Sequence, residues 1–385
     1  MQIHTKDPVK FVVAVLAAQV MGGLVTQMSP LIVGSLIIGL ELTEQQAGFV
    51  VFAEYISLSI TVIVIAPFLS RLPYRSLCLS AAMIAIGAQI ISITLFNLNM
   101  FIAFRCIAGI GEGLVYASSL AAVASRSTNP DKLYGYMQVT WASLSIVLFS
   151  LGGHVTEMYG HKGLYSMIAL FTILLTVFFF WLPDEVTMTQ ETKNIEKGTT
   201  RPILGSVTLI GIFIYLVATA AVYTFTVPLG ERSGLSTTEI GYALTLGSVL
   251  GVIGAGLAAW LNVRKGRFLP ITVFSFAVSI LAFVLCINTH PVVYVIALVL
   301  LSIFFYFSIP YLFGLAAALD NQGMWAAAAG SAYLLGFAVG PVFAGTIIEF
   351  YGYGGLGVVT AITAIIAWLL LTIVLRYLKP MGTTQ

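Results

Sequence analysis

Long apolar runs alternate with short polar breaks along this chain. Runs of spanning length fall at about 11–38, 47–69, 76–96, 100–124, 134–158 and 163–183. Six more fall at about 204–229, 238–262, 269–288, 292–318, 325–350 and 356–378. A helical crossing of a bilayer core needs about 20 apolar residues, so each run predicts one spanning helix. Helices are required because lipid-exposed backbone must satisfy its own hydrogen bonds, and the runs lack the alternation of barrel strands. The break from Asp184 to Arg201 holds seven charged residues and parts the runs six and six. The expected fold class is all-α integral membrane, with twelve transmembrane helices in two six-helix pseudo-symmetric bundles. The expected domains are an N-terminal bundle over 1–183, a cytoplasmic linker over 184–203 and a C-terminal bundle over 204–385.

The chain also repeats itself. Leu42-Thr43-Glu44-Gln45-Gln46-Ala47-Gly48 recurs as Leu235-Ser236-Thr237-Thr238-Glu239-Ile240-Gly241, displaced by 193. In both copies a hydroxyl precedes Gln or Glu by three residues, the pattern of a capping box, here opening spans two and eight. Gly153, Glu157, Tyr159, Gly160, Gly163 and Leu164 recur as Gly345, Glu349, Tyr351, Gly352, Gly355 and Leu356, displaced by 192. Two matches near one offset predict structurally equivalent halves. Parallel repeats of this kind imply a substrate path between them.

Composition removes the competing classes. Of 385 residues 59% are hydrophobic and 8% charged, against about 25% charged in a soluble domain. The net charge is +2, with no basic run for nucleic acid. Basic residues divide by side. Fourteen fall with the N-terminus (Lys6, Lys10, Arg71, Arg75, Arg126, Lys132, Lys193, Lys197, Arg201, Arg264, Lys265, Arg267, Arg376, Lys379), and Lys162 and Arg232 face the other way. Basic loops stay cytoplasmic, so both termini are expected there, in a multi-pass protein of a bacterial inner membrane. The first run continues from Phe11 to Leu40, too long for a cleaved signal. Cys78, Cys106 and Cys286 lie in apolar stretches without metal spacing and read as packing residues.

Several motifs carry a resemblance. The fourth span holds Arg105, Gly109 and Gly111, with Ala108 between. The loop after span two reads Ala66, Ser70, Arg71, Pro73, Tyr74, Arg75, and its counterpart after span eight reads Ala259, Val263, Arg264, Gly266, Arg267. Gly152-Gly153 sits in span five, and Gly336, Gly340, Pro341, Ala344 and Gly345 in span eleven. With twelve spans, a charged central loop and cytoplasmic termini, the chain resembles the major facilitator superfamily of secondary transporters over essentially its whole length. It departs from the family pattern in the first loop, which lacks the acidic residue and both glycines. Its antiporter-like glycine pattern lies in span eleven instead of five. The resemblance implies a role for Arg105 in coupling, and a cavity lined by spans one, four, seven and ten. That nominates Gln19, Gln27, Tyr116, Tyr215, Tyr223, Tyr306 and Tyr311, with Gln138, Trp141 and Tyr333 as second-rank candidates.

Charges inside lipid are costly, so Glu54, Arg105 and Glu112 are functional candidates. Arg105 and Glu112 are seven residues apart on one helix face, about 10 Å along the axis. A carboxylate at mid-membrane depth is penalised when ionised, which suits loading and unloading of protons. The alternatives are a static brace of carboxylate with Arg105, and an Arg105 that reaches to the headgroups. His154, Glu157 and His161 have metal-like spacing on a helix, but Gly160 interrupts the face and an interfacial cap is the better reading. Glu41, Glu44, Glu231 and Glu239 read as outer-loop solvation or caps. Gly109 with Gly113, Gly247 with Gly251, and Gly336 with Gly340 predict close helix approach. Seventeen Tyr and 25 Phe suit a cavity for amphipathic or aromatic solutes.

The expected function is alternating-access transport of a small organic solute, proton-coupled, with export favoured. A symporter or facilitator importing a metabolite is the alternative, and a membrane sensor or scaffold a remote one. Neither HExxH nor GxSxG is present for an enzyme. The expected partners are the solute, protons and membrane lipid, with the protein a monomer. No cofactor, metal or nucleic acid is expected.

Overall fold

The computed structural model describes residues 7–95, 97–184, 202–261, 266–319 and 324–378. Most of the 184–203 linker therefore lies outside the described residues, as do Lys6, Lys193, Lys197, Arg201, Arg264, Lys265 and Lys379. Among the described residues there are eleven α-helices: α1 (Val9–Leu40), α2 (Glu44–Ile65), α3 (Tyr74–Thr94), α4 (Leu98–Arg126), α5 (Pro130–Thr176), α6 (Pro202–Thr224), α7 (Thr226–Arg232), α8 (Thr237–Leu261), α9 (Phe268–Ile287), α10 (Pro291–Ala317) and α11 (Met324–Leu378). Ten described segments are long and apolar enough to cross a membrane. The outward faces are apolar: Ile60, Val64, Met83, Val252 and Trp260 are all exposed. Polar groups such as Glu54, Gln89, Arg105 and Glu112 are buried. That inversion fits lipid as the surrounding solvent.

By contacts the chain forms two compact units, 1–191 with 237–245, and 192–236 with 246–385. In the first unit α1 carries Pro30 in its interior. Proline has no amide hydrogen, so the carbonyl four residues back, that of Thr26, loses its helical donor. The Tyr55 hydroxyl of α2 donates to that carbonyl at 3.1 Å. The α1 helix stops at Glu41, whose left-handed backbone (φ 53°) turns its N–H onto the Leu36 carbonyl. The expected capping box at Thr43 and Gln46 then opens α2, with both reciprocal bonds formed.

Spans five and six, expected as separate helices, run together as the 47-residue α5, in which Gly160 alone is non-helical (φ 59°, ψ −150°). The chain reverses there. A Cβ built on Gly152 would lie 3.3 Å from Met167 Cε, whereas fifteen residues of straight helix would separate the two by about 22 Å. The second unit repeats the device in the 55-residue α11 at Gly352 (φ 66°, ψ −178°). There α6 touches both arms: a Cβ on Gly211 would lie 2.9 Å from Leu371 Cδ2, and one on Gly336 2.8 Å from the Phe213 carbonyl. The expected seventh span to residue 229 instead ends at Thr224, and the separate short α7 follows. The carbonyl of Thr226 in α7 accepts a hydrogen bond from Tyr294 of α10 at 2.8 Å.

Candidate functional site

The α4 helix builds a charged site by alternating glycines with long polar residues. At about 100° per residue, Gly109 and Gly113 lie about 40° and 80° to one side of Arg105, and Gly111 lies on the other side. A Cβ on Gly109 would collide with the Glu54 carbonyl, and one on Gly113 would lie 2.7 Å from the Leu58 carbonyl, so α2 packs backbone-close on that side. A Cβ on Gly111 would lie 2.6 Å from the Ala81 carbonyl, so α3 closes the other. Arg105 and Glu112 are thereby aimed into the crevice between α2 and α3.

The crevice is buried and polar. Arg105 and Glu54 are both fully buried and form an ion pair at 3.0 Å. The same guanidinium donates to the Ala88 carbonyl at 3.0 Å and to Ser92 Oγ at 2.7 Å, both on α3. The Tyr165 ring, from the second arm of α5, covers it at 4.7 Å and Phe101 stands at 5.8 Å. Arg105 is therefore enclosed within the first unit and ion-paired with Glu54. Glu112, also fully buried, is held differently: its Oε1 accepts from Gln89 Nε2 at 3.1 Å, a neutral partner. Glu112 Oε2 and Gln89 Oε1 accept no hydrogen bond. A proton on Glu112 would supply a donor to a pair that has two facing kinds of acceptor and one donor group. The cluster thus pairs one carboxylate with the cation and leaves the second beside an amide.

The nominated wall residues separate into groups. Gln27 and Trp141 line one narrow cleft with no room for a water-sized sphere, together with Val20, Leu24, Leu144 and Leu148. Gly23 lies against the Trp141 ring. Gln19 is buried with Oε1 unpartnered, Gln138 is exposed, and neither lines that cleft. The backbone of Tyr116 packs on Gly22. Tyr215 is a fully buried core residue, edge-on to Phe274 at 5.1 Å, and Tyr311 packs on Phe307 at 5.2 Å. Tyr223, Tyr306 and Tyr333, by contrast, join one aromatic array through Phe305 and Phe337. His154 and Glu157 both bond Thr238 of the same unit, at 3.0 and 2.8 Å. No three His, Cys, Asp or Glu among the described residues gather as metal ligands.

Gln89, Ser92 and Tyr165 were not among the nominated residues. Gln89 carried a usable signal, an amide in the middle of an apolar run. Its span was outside the four that the resemblance assigns to the cavity, and only the fold brings it to Glu112.

A polytopic bundle of apolar helices that buries an acid and an ion pair has the build of a membrane transporter. The chain belongs to the Major Facilitator Superfamily, whose sequence profile matches residues 12–320. Among solved structures it is similar to a bacterial homologue of the human lysosomal transporter Spinster, in an inward-facing, unoccupied conformation (TM-score 0.76, 13% identity, 95% of this chain and 96% of that one). It is similar too to the nucleoside transporter NupG (0.72, 13%, 96% and 100%). A D-xylose–proton symporter also matches (0.71, 16%, 92% and 97%). At these identities the likeness is one of fold. No curated protein matches the sequence.

Proposed function

We propose that the protein is a proton-coupled secondary transporter that moves a small organic solute by alternating access, with export the favoured direction. The observation that carries this is Glu112: a fully buried carboxylate whose hydrogen-bond partner is a neutral amide, beside a carboxylate already paired with Arg105. An ionised Glu112 would be a second buried anion with one cation between two, which favours taking up a proton whenever water leaves the site. Glu54 is the alternative carrier, and Arg105 couples the two. A proton symporter among the fold neighbours supports this chemistry on this scaffold. The antiporter-like glycine pattern from Gly336 to Gly345 favours export over import only weakly, because it is displaced from span five to span eleven.

Twelve crossings are proposed from the two broken helices. The candidate segments Lys132–Trp181 and Ala328–Leu378 have 50 and 51 residues. Straight, each would measure about 75 Å, more than twice a core of about 30 Å. Each counts as two, giving six crossings in 1–183 and six in 204–385 with cytoplasmic termini and linker, as the basic residues favour. Proteoliposomes enclosing a pH dye, challenged with a panel of amphipathic solutes, test the coupling. A solute that moves protons with parent protein but only exchanges with Glu112→Gln supports it. Uphill transport by Glu112→Gln with an unchanged pH profile overturns Glu112 as carrier. Solute flux without proton movement makes the protein a facilitator.

A further inference from the structure

The second unit contains an array of aromatic side chains that the proton site does not use. We infer that this array is the solute-recognition wall and that it takes an uncharged, planar aromatic ring system. The inference rests on the transport reading for its purpose, but not for its geometry. Phe337 of α11 is the centre, with Tyr223 of α6 at 6.4 Å, Phe305 of α10 at 6.0 Å and Tyr333 at 5.3 Å. Tyr306 joins through Phe305 at 5.7 Å, and Phe313 through Tyr333 at 6.1 Å.

Burial separates this array from ordinary core and from lipid-facing rings. Core aromatics of the same unit, Tyr215 and Phe274, are fully buried, and its outward rings Phe350 and Tyr351 are 70% and 75% exposed. All six rings of the array are half-buried, neither sealed like Tyr215 and Phe274 nor turned outward like Phe350 and Tyr351. Gly251 of α8 makes the seat for one of them: a Cβ there would lie 2.5 Å from Tyr306 Cδ2. Tyr333 and Phe337 stack on one another, nearly parallel at 23°, a pair that a flat ring can extend by offset stacking or edge-on contact.

The charge class follows from what these helices lack. Neither α6, α10 nor α11 up to Ile348 contains an Asp, Glu, Lys or Arg. An anion would meet the negative faces of the rings. A cation would be drawn to those faces, but a buried charge needs a counter-charge as well, and these helices offer none. A neutral ring loses nothing on either account. The Tyr306 hydroxyl can bond a polar group at that ring's edge.

The test is equilibrium dialysis of the purified full-length protein in lipid nanodiscs, with empty nanodiscs as background and no gradient applied. The probes share one size: 2-naphthalenemethanol, 2-naphthoate, 2-naphthylmethylammonium and decahydro-2-naphthalenemethanol. Saturable binding of 2-naphthalenemethanol should exceed that of the other three by about tenfold. Phe337→Leu and Tyr333→Leu should each weaken it about five- to tenfold, Phe337→Tyr should retain it, and Tyr377→Leu, on the exposed C-terminal turn, should not alter it. Binding should persist in Glu112→Gln. Equal binding of the saturated analogue, preference for either ion, absence of saturable binding, or folded Leu variants that bind like the parent would each overturn the inference. A failure of proton coupling would leave these binding results unchanged, so the two readings fail separately.

Discussion

Arg105 and Glu54 should be far more damaging to lose singly than together. The guanidinium is fully buried, bonded to Glu54 at 3.0 Å, to the Ala88 carbonyl and to Ser92, and covered by the Tyr165 ring. Arg105→Met fills much of the same volume but leaves the Glu54 carboxylate buried without a cation, a loss of about 3–5 kcal/mol for one broken partner of a buried pair. Glu54→Gln leaves the cation with an amide in place of a charge and should cost a similar amount. In the double variant no uncompensated charge remains, and replacement of a whole buried pair is often near neutral. The expected coupling is therefore about 3 kcal/mol or more, well outside the roughly 0.5 kcal/mol within which independent sites add. Reversible unfolding of the two single variants, the double variant and the parent in one lipid–detergent mixture measures it. Additive losses would refute the reasoning, because they would mean that each group is solvated or paired by something other than its partner.

Gly109→Ala should cost about 1–3 kcal/mol by forcing α2 away from α4, whereas Gly87→Ala, where a Cβ meets nothing within 4 Å, should be neutral or slightly stabilising; thermal unfolding compares them. Gly160→Ala meets no neighbour either, so its cost of about 1–3 kcal/mol is purely that of a backbone region reserved for glycine; a loss under about 0.5 kcal/mol would show that the reversal tolerates a side chain. Tyr55→Phe strips the donor from the carbonyl that Pro30 orphans and should cost about 1–3 kcal/mol, most of it restored by Pro30→Ala in the same chain. Asp7, outside α1, is partly buried, which raises its pKa, but the Ser127 hydroxyl and the Thr128 backbone and side chain outweigh this and hold it below the ordinary value. A depressed folded pKa means that its contribution is present above the unfolded value of about 3.9 and fades as pH falls through the folded one. Asp7→Asn should therefore unfold earlier than the parent at pH 7, and the difference should close below about pH 4.

The sequence made the spans visible because lipid imposes a length and a polarity that few other contexts require. The capping box at Thr43 and the pairing of Gly160 with Gly352 were equally plain, since both are local and carry their own chemistry. The partner of Arg105 was not. A spacing of seven placed Glu112 on the same face of α4, but a face is shared by whatever helix packs on it. The glycines at 109, 111 and 113 decide that Arg105 meets Glu54 of α2, and that Glu112 meets Gln89 of α3. Likewise, counting tyrosines could not separate Tyr215, sunk against Phe274, from Tyr223, Tyr306 and Tyr333, which share an array with phenylalanines that carry no polar signal at all.

The repeat explains why charge and aromatic faces fall in different halves. The displacement of 193 read from the capping-box repeat carries the Glu54–Gly109 approach onto Gly247 and Ser302, and the Leu58–Gly113 approach onto Gly251 and Tyr306. Both second-half pairs are also in contact, a Cβ on Gly247 falling 2.7 Å from Ser302 Oγ and one on Gly251 falling 2.5 Å from the Tyr306 ring. The register of one helix pair on the other is thus the same in both units, but the glycines have changed sides. In the first unit they lie on α4, which lets long polar residues of that helix turn inward. In the second they lie on α8, which frees α10 to carry rings. At this register Arg105 corresponds to Leu298, Glu112 to Phe305 and Gln89 to Ala282. Every member of the charged cluster is replaced by an apolar residue, and the position of the unpaired acid is taken by a ring of the aromatic array. A buried charge in each half would require each to find its own compensation. Confining ionisable chemistry to one frame and ring faces to its copy avoids that cost, and, with the roles proposed above, lets proton uptake and solute recognition vary independently.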